Sequence, residues 1–250
     1  MGMPGRVPVA WLVAALVVVL SSAEARAAEA IPDLFPRFAA ARVDHRLPLP
    51  QWDGIIAALR RDDARIEACR VDRRCDDRPA RRVVDLVDRL TASGRHGQLA
   101  AVHDFVNAVP YVTDAAKFGV EDHWQSPLDF LDGSGDCEDY VIAKYFVLRQ
   151  LGWADADHRI VIYIDRSTQV IHAILAATMD RRAAILDNRS PRVGSPADYP
   201  AATPKYALNV GHRWVFVNLA NQPAGGEATA EIRMDSEATP GDGEDGGWRR

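Results

Sequence analysis

An α+β fold, with N-terminal helices followed by an antiparallel sheet, is predicted by three features of the sequence. Apolar residues recur at helical spacing through the first 150 positions. Short runs rich in Ile, Val and Ala follow between residues 159 and 218. Two of those runs are separated only by Met179-Asp180-Arg181-Arg182, as a hairpin turn would separate them.

The elements follow in order. Residues 33–41 are expected as a short helix. The stretch from Trp52 to Ala68 repeats Ile55, Ile56, Leu59 and Ile66 on a helical period. Pro79 opens a second helix carrying Val83, Val84, Leu86, Val87 and Leu90, and Ser93-Gly94 interrupts it. A third, over 97–108, holds Leu99, Val102, Phe105 and Val106 and ends before Pro110. Residues 109–136 read as a loop, with Gly119, Pro127, Gly133 and Gly135, yet rich in Asp, Trp and Phe. A strong helix over 137–151 carries Val141, Ile142, Tyr145, Phe146, Leu148 and Leu151, and Gly152 ends it. The expected strands are Arg159–Asp165, Val170–Thr178, Ala183–Asp187, Tyr206–Val210 and Arg213–Asn218.

The ends do not belong to the fold. Residues 1–27 combine Arg6, an apolar run from Val7 to Leu20 and a small-x-small site at Ala25-Arg26-Ala27, the pattern of a cleavable secretory signal. The alternative is an uncleaved anchor, although the run is short for a membrane span. Residues 221–250 are Gly, Ala, Glu and Asp with little apolar content, and are expected to be a disordered acidic tail. That leaves 28–220 as one domain, exported to the periplasm, with no membrane span in the mature chain.

The whole chain has 250 residues, 30 Lys+Arg, 35 Asp+Glu and a net charge of −5. Much of the acidic excess falls in the tail, so no basic face is expected and nucleic acid is not an expected partner.

Three cysteines occur, Cys69, Cys75 and Cys137. In an oxidising compartment Cys69 and Cys75 are placed to close a short disulfide loop, and the competing metal reading lacks further ligands nearby. Cys137 is then left over, and an unpaired thiol in an exported chain calls for an explanation.

That thiol sits in Gly133-Ser-Gly-Asp136-Cys137-Glu138-Asp139-Tyr140. Asp136 is placed to cap a helix and Asp139 to answer it three positions on, so Cys137 opens the helix where free N–H groups favour a thiolate. An ordinary capping box explains the acids but not the cysteine. A nucleophilic thiol needs a base and an orienter. Of seven histidines, His172 alone lies inside a strongly apolar strand pattern. Pairing 170–178 with 183–187 sets Thr178 opposite Ala183 and Ile174 opposite Asp187, with His172 one diagonal step away. A satisfied core histidine and a turn-starting Asp187-Asn188 are the plainer alternatives.

The motif His123-Trp124-Gln-Ser-Pro127-Leu-Asp-Phe130, followed by Gly135-Asp-Cys-Glu-Asp-Tyr140, Ala143-Lys-Tyr-Phe146 and Leu148-Arg-Gln-Leu-Gly152, resembles the bacterial transglutaminase-like cysteine peptidases. The resemblance covers most of 45–218. It implies a papain-like/transglutaminase-like core with the catalytic Cys137 at a helix N-terminus, His172 as general base and acid, and Asp187 as orienting carboxylate. It also implies a periplasmic endopeptidase that cuts a large surface adhesin near its N-terminus and so disperses biofilm. An inner-membrane cyclic di-GMP receptor is the implied inhibitor. Trp124 is a candidate oxyanion donor or groove wall, or simply core.

One physical difficulty stands in that reading. Asp136 and Glu138 flank Cys137 and would raise its pKa. A calcium ion on their oxygens would cancel that charge, and the resemblance implies such a calcium site. Asp139 and an oxygen from Asp155, Ala156 or Asp157 are further candidate ligands. Other readings of the same residues are an acyltransferase or transglutaminase that passes the thioester to an amine, or a non-catalytic calcium-binding module.

Overall fold

The computed structural model describes residues 34–43, 49–72 and 74–221. The expected export signal and all but the first residue of the expected acidic tail lie outside them. Among the described residues, no helix is long and apolar enough to cross a membrane.

Six helices precede most of the sheet. Helix α1 (Pro50–Val71) starts on a proline and buries Trp52, Ile55, Leu59, Ile66 and Cys69, a stripe at three- and four-residue steps. Cys69 and Cys75 are joined in a disulfide, Cα to Cα 5.2 Å, which ties the end of α1 to the next turn. Asp77 then caps α2 (Arg78–Leu90) by accepting from Ala80 N at 3.1 Å. Helix α3 (Arg95–Asn107) turns Leu99, Val102, His103 and Val106 inward. The stretch expected as loop contains two single-turn helices, α4 (Asp114–Lys117) and α5 (Pro127–Leu131). Thr113 and Ser126 cap them, local signals in a segment too short for a hydrophobic period to register.

Helix α6 (Cys137–Gln150) is buried at every position from Asp139 to Leu148. A helix apolar on nearly all sides belongs in the middle of a core. It lies between α3, α5 and the sheet.

The sheet contains β1 (Phe38–Val43), β2 (His158–Asp165), β3 (Val170–Met179), β4 (Arg182–Leu186), β5 (Ala202–Leu208) and β6 (Arg213–Asn218). Their spatial order is β1-β6-β5-β2-β3-β4, antiparallel throughout. Alternation separates two buried faces. Ile160, Ile162, Ala173, Leu175 and Leu186 pack with the helices. Val161, Tyr163, Ile174, Ala176 and Ile185 form a second cluster, covered by Leu34 and Phe35.

Two expectations need correction. The stretch expected as a helix at 33–41 is instead strand from Phe38, laid along β6 with Phe38 opposite Asn218 and Val43 opposite Arg213. Phe38 and Ala40 pack on the second cluster, so ladder bonds and face burial override the helical preference of its alanines. Strand β5 begins at Ala202 rather than Tyr206. Pro204 hides its start, and the pairing with β2 shifts register at Ile162/Tyr163, a place where a proline is tolerated.

The β3–β4 hairpin has the expected register, Thr178 opposite Ala183 and Met179 opposite Arg182. Asp180 and Arg181 take φ of 49° and 62°, the left-handed pair that a two-residue hairpin loop demands. The ladder ends at Leu175 opposite Leu186, so β3 runs on past its neighbour toward Val170.

Candidate active site

Cys137 is the first residue of α6 and Asp136 its N-cap. Asp139 Oδ2 reaches back to accept the Asp136 N–H at 3.3 Å. The loop before the helix is tightly pinned. Gly135 bridges to Tyr111, with Val112 N donating to Gly135 O at 2.9 Å. Lys117 Nζ and Gln125 Nε2 both donate to Ser134 O, at 2.6 and 3.0 Å. A Cβ on Gly135 would collide with Asp139 Oδ2, with Gln125 Nε2 at 2.7 Å and with the Phe130 ring at 2.8 Å. Only glycine permits that approach.

Cys137 is the free thiol of the three cysteines, half-buried at the mouth of the helix. The backbone amide of Ala173 lies against it and favours its ionised form. Ala173 belongs to the part of β3 that outruns β4, and His172 precedes it. The sheet therefore places His172 one residue from the amide that meets the thiol.

His172 is fully buried, and its Nε2 lies 2.8 Å from Asp187 Oδ1. Asp187 is the first residue after β4. The same Oδ1 accepts Arg189 N at 2.9 Å, and Oδ2 accepts the Tyr199 hydroxyl at 3.0 Å. Burial pushes the Asp187 pKa up, but the bond and charge of His172, with the other donors, outweigh it and hold the carboxyl below its ordinary range. Nε2 is thereby committed to Asp187. His172 Nδ1 is buried and has no hydrogen-bond partner. Tyr163, opposite His172 on β2, sets its ring edge-on at 5.7 Å.

The acidic residues divide into two groups. Asp114, Asp136 and Glu138 each present a carboxylate oxygen within 4.8 Å of the others. Asp139, expected among the ligands, stands apart from this cluster. It is buried, and its oxygens accept from Gln125 N at 2.8 Å and Gln125 Nε2 at 2.5 Å. Burial raises its pKa to about 6 against those bonds. Asp155 bonds Tyr145 OH at 2.6 Å and pairs with Arg149, beside the last turn of the same helix, so the 155–157 segment serves the far end of α6.

Asp114 is the cluster member that the sequence did not point to. It lies 22 positions before Asp136, and only the fold joins them; its backbone N donates to Asp136 Oδ2 at 3.2 Å. Tyr199 had no sequence signal either.

The cluster bears directly on the thiol. Cys137 Sγ donates to Glu138 Oε2 at 3.2 Å. Burial first, then Glu138 and Asp136, push the thiol's pKa up, while the Ala173 amide opposes. Burial and the neighbouring Asp136 raise Glu138 to about 9. Asp114 Oδ1 and Asp136 Oδ1 are buried with no hydrogen-bond partner. Three crowded carboxylates, two of them with an orphaned oxygen, and no ion pair among the described residues form a donor set that fits a hard divalent cation.

Trp124 is corrected in one respect. Its indole N–H donates to Asp122 Oδ1 at 2.9 Å and is not free for an oxyanion. Its ring meets Trp52 edge-on at 6.4 Å. It walls a cleft of about 620 Å³ between α1 and residues 117–129, which neither Cys137 nor His172 lines.

The model of the bacterial transglutaminase-like cysteine proteinases matches residues 68–207. No curated protein matches the chain. Among solved structures, calcium-bound Legionella pneumophila LapG is 26% identical, with a TM-score of 0.51 over 63% of this chain and 87% of that one. EGTA-treated LapG from the same organism is 27% identical, with a TM-score of 0.51 over 63% of this chain and 84% of that one. A family match spanning more than half the chain, on an α+β core that carries the thiol at a helix start, makes this protein a member of the bacterial transglutaminase-like cysteine proteinase family.

Proposed function

We propose that this protease is a periplasmic, calcium-dependent cysteine endopeptidase with Cys137 as nucleophile, His172 as general base and acid, and Asp187 as orienter. The observation that carries the assignment is the 2.8 Å bond from His172 Nε2 to Asp187 Oδ1, on the strand whose Ala173 amide meets the thiol. That bond places the Nε2 proton on the aspartate side and leaves the lone pair of the neutral ring on Nδ1.

Cys137 gives its proton to His172 Nδ1, and the sulfur attacks the scissile carbonyl carbon. The Cys137 backbone N–H, unpaired at the first turn of α6, faces the developing oxyanion. The C–N bond breaks as His172 returns the proton to the leaving amine. Water then adds to the thioester with His172 as base, and the carboxylic product leaves.

Asp114, Asp136 and Glu138 are the residues that would hold calcium. A bound divalent cation supplies the positive charge that offsets the carboxylates facing the sulfur. Calcium-bound and EGTA-treated forms of the similar LapG support the choice of ion.

The substrate and regulator follow the family resemblance. The substrate is a large surface adhesin cut near its N-terminus, releasing it and dispersing biofilm. An inner-membrane cyclic di-GMP receptor captures the protease and inhibits it. Export through residues 1–27 places the protease with both.

The test is proteolysis of adhesin N-terminal fragments by wild type and Cys137→Ser, with calcium and with EGTA. Cutting by wild type in calcium alone is expected. Cutting that persists in EGTA removes the metal assignment, and cutting by Cys137→Ser removes the nucleophile. A labelled amine in the same reaction that incorporates faster than hydrolysis would mark a transferase instead.

A further inference from the structure

The mechanism above gives Tyr199 no part, yet its hydroxyl donates to Asp187 Oδ2 at 3.0 Å. The segment that delivers it is built in steps. Gly194 bridges to Ile185 of β4, the two residues exchanging N–H to O bonds of 2.8 and 2.9 Å. Ser195 then caps the single 3₁₀ turn Pro196–Asp198, and Asp198 Oδ2 answers by accepting Ser195 N at 2.8 Å. Tyr199 follows that turn, its N–H donating to Pro196 O at 3.1 Å. Its ring meets Tyr163 edge-on at 6.1 Å, and Tyr163 meets the His172 ring at 5.7 Å. A phenylalanine would make the same ring contact, so packing does not account for the hydroxyl.

The other restraints on Asp187 leave one freedom open. Its backbone follows directly on β4, and its carbonyl accepts Ser190 N at 3.2 Å and Asn107 Nδ2 at 3.3 Å. In the side chain, Oδ1 accepts both His172 Nε2 at 2.8 Å and Arg189 N at 2.9 Å. Those two bonds hold a single oxygen. The last torsion of an aspartate is broad and roughly two-fold, so a carboxylate held at one oxygen can still turn. Asp187 and Tyr199 also line an open surface pocket of about 390 Å³, from which only water would otherwise reach Oδ2. The tyrosine hydroxyl replaces that water with a donor fixed to the sheet.

Resting on the triad reading, we propose that Tyr199 is a positioning residue. Its hydroxyl fixes the rotation of the Asp187 carboxylate, and through it the setting of the His172 ring that serves Cys137.

Alkylation of Cys137 by iodoacetamide tests this without a substrate, because the other two cysteines are in a disulfide. Rates are measured on the calcium-loaded chain for wild type, Tyr199→Phe, Asp187→Ala and the double variant, and the His172 imidazole N–H resonance is followed in wild type and Tyr199→Phe. Tyr199→Phe removes one oxygen and keeps the ring, so the fold is expected to persist. Its alkylation is expected to slow roughly three- to tenfold near neutral pH, as a bond to a charged group is exchanged for one to mobile water. The imidazole resonance is expected to broaden as the carboxylate gains freedom, a change that lower stability alone would not produce. In the Asp187→Ala background Tyr199→Phe is expected to slow nothing further, because the group it holds is gone.

A wild-type rate or an unbroadened resonance in Tyr199→Phe, or equal slowing with and without Asp187, overturns the Tyr199 role alone. A wild-type rate in Asp187→Ala overturns the triad reading with it. Should Asp187→Ala fail to fold, the rate and resonance of Tyr199→Phe decide the Tyr199 role by themselves.

Discussion

Replacing Asp187 by asparagine and by alanine separates what the carboxylate does by geometry from what it does by charge. Oδ1 takes the His172 Nε2 proton at 2.8 Å and the Arg189 N–H at 2.9 Å, while Oδ2 takes only the Tyr199 hydroxyl at 3.0 Å. An asparagine can put its oxygen at the Oδ1 position and its NH2 at Oδ2, where the tyrosine oxygen becomes the acceptor. The imidazole tautomer is then kept, and only the charge is lost. The difference between a charge-assisted and a neutral hydrogen bond is about 1–1.5 kcal/mol, so Asp187→Asn should lose about tenfold in Cys137 reactivity. Asp187→Ala removes the acceptor as well and strands three donors. It should lose about 10³-fold or more and destabilise the fold by about 2–3 kcal/mol. Iodoacetamide alkylation, fragment cleavage and thermal melts measure all three. If asparagine proves as damaging as alanine, the oxygen placement is wrong; if alanine stays within a few-fold of wild type, His172 and Asp187 are not a working pair.

Three further outcomes are expected. Gly135→Ala forces a methyl group against Asp139, Gln125 and Phe130, and should cost about 1–3 kcal/mol in melting experiments and abolish Cys137 reactivity; an unchanged melt would show that the loop has slack. Cys69→Ser with Cys75→Ser opens a loop of sequence separation 6 and should lower stability by about 2 kcal/mol on the chain-entropy model, leaving the alkylation rate of Cys137 untouched. The calcium effect should depend on pH. Glu138 has its pKa raised to about 9 in the cation-free fold, so its contribution to folding is full below its unfolded value of 4.5 and fades as pH climbs toward 9. A cation favours the ionised carboxylate, so the calcium-induced rise in Tm should widen across that window, and a shift constant with pH would count against Glu138 as a ligand.

What was legible in the sequence was what short-range periodicity controls. A two-residue hairpin loop fixes every pair that follows, so the turn at Met179–Arg182 puts Asp187 within one diagonal step of His172, and the structure joins the two side chains. The capping pattern likewise placed Cys137 at a helix start. Distant contacts left no such trace. Asp114 joins Asp136 across a loop that hides two helical turns, and Tyr199 reaches Asp187 from a short connection before β5. Asp139 carries the same charge as its neighbours, yet one helical step turns it inward to Gln125, and nothing in residue type separates those outcomes. Trp124 spends its N–H on an aspartate two residues away, a rotamer choice that spacing does not encode. Strand β1 reads as helix in the sequence because its alanines favour one locally and only β6 makes them a strand.

The charges around the thiol have an order that follows from α6 itself. A helix start ordinarily stabilises a thiolate, but here burial and then the flanking Glu138 and Asp136 carboxylates reverse that effect. The reversal has a use if the sulfur is to stay protonated until calcium arrives, since Glu138 then serves as both ligand and brake: the oxygen that accepts the thiol proton is on the carboxylate that the cation would engage. His172 and Asp187 come from β3 and the turn after β4, outside that carboxylate cluster. On this arrangement a bound metal would govern the nucleophile while Asp187 orients the base. Chelation should therefore silence Cys137 without disturbing the His172–Asp187 hydrogen bond, which the imidazole N–H resonance can follow directly. Loss of that resonance on adding EGTA would show that the two controls are not separate.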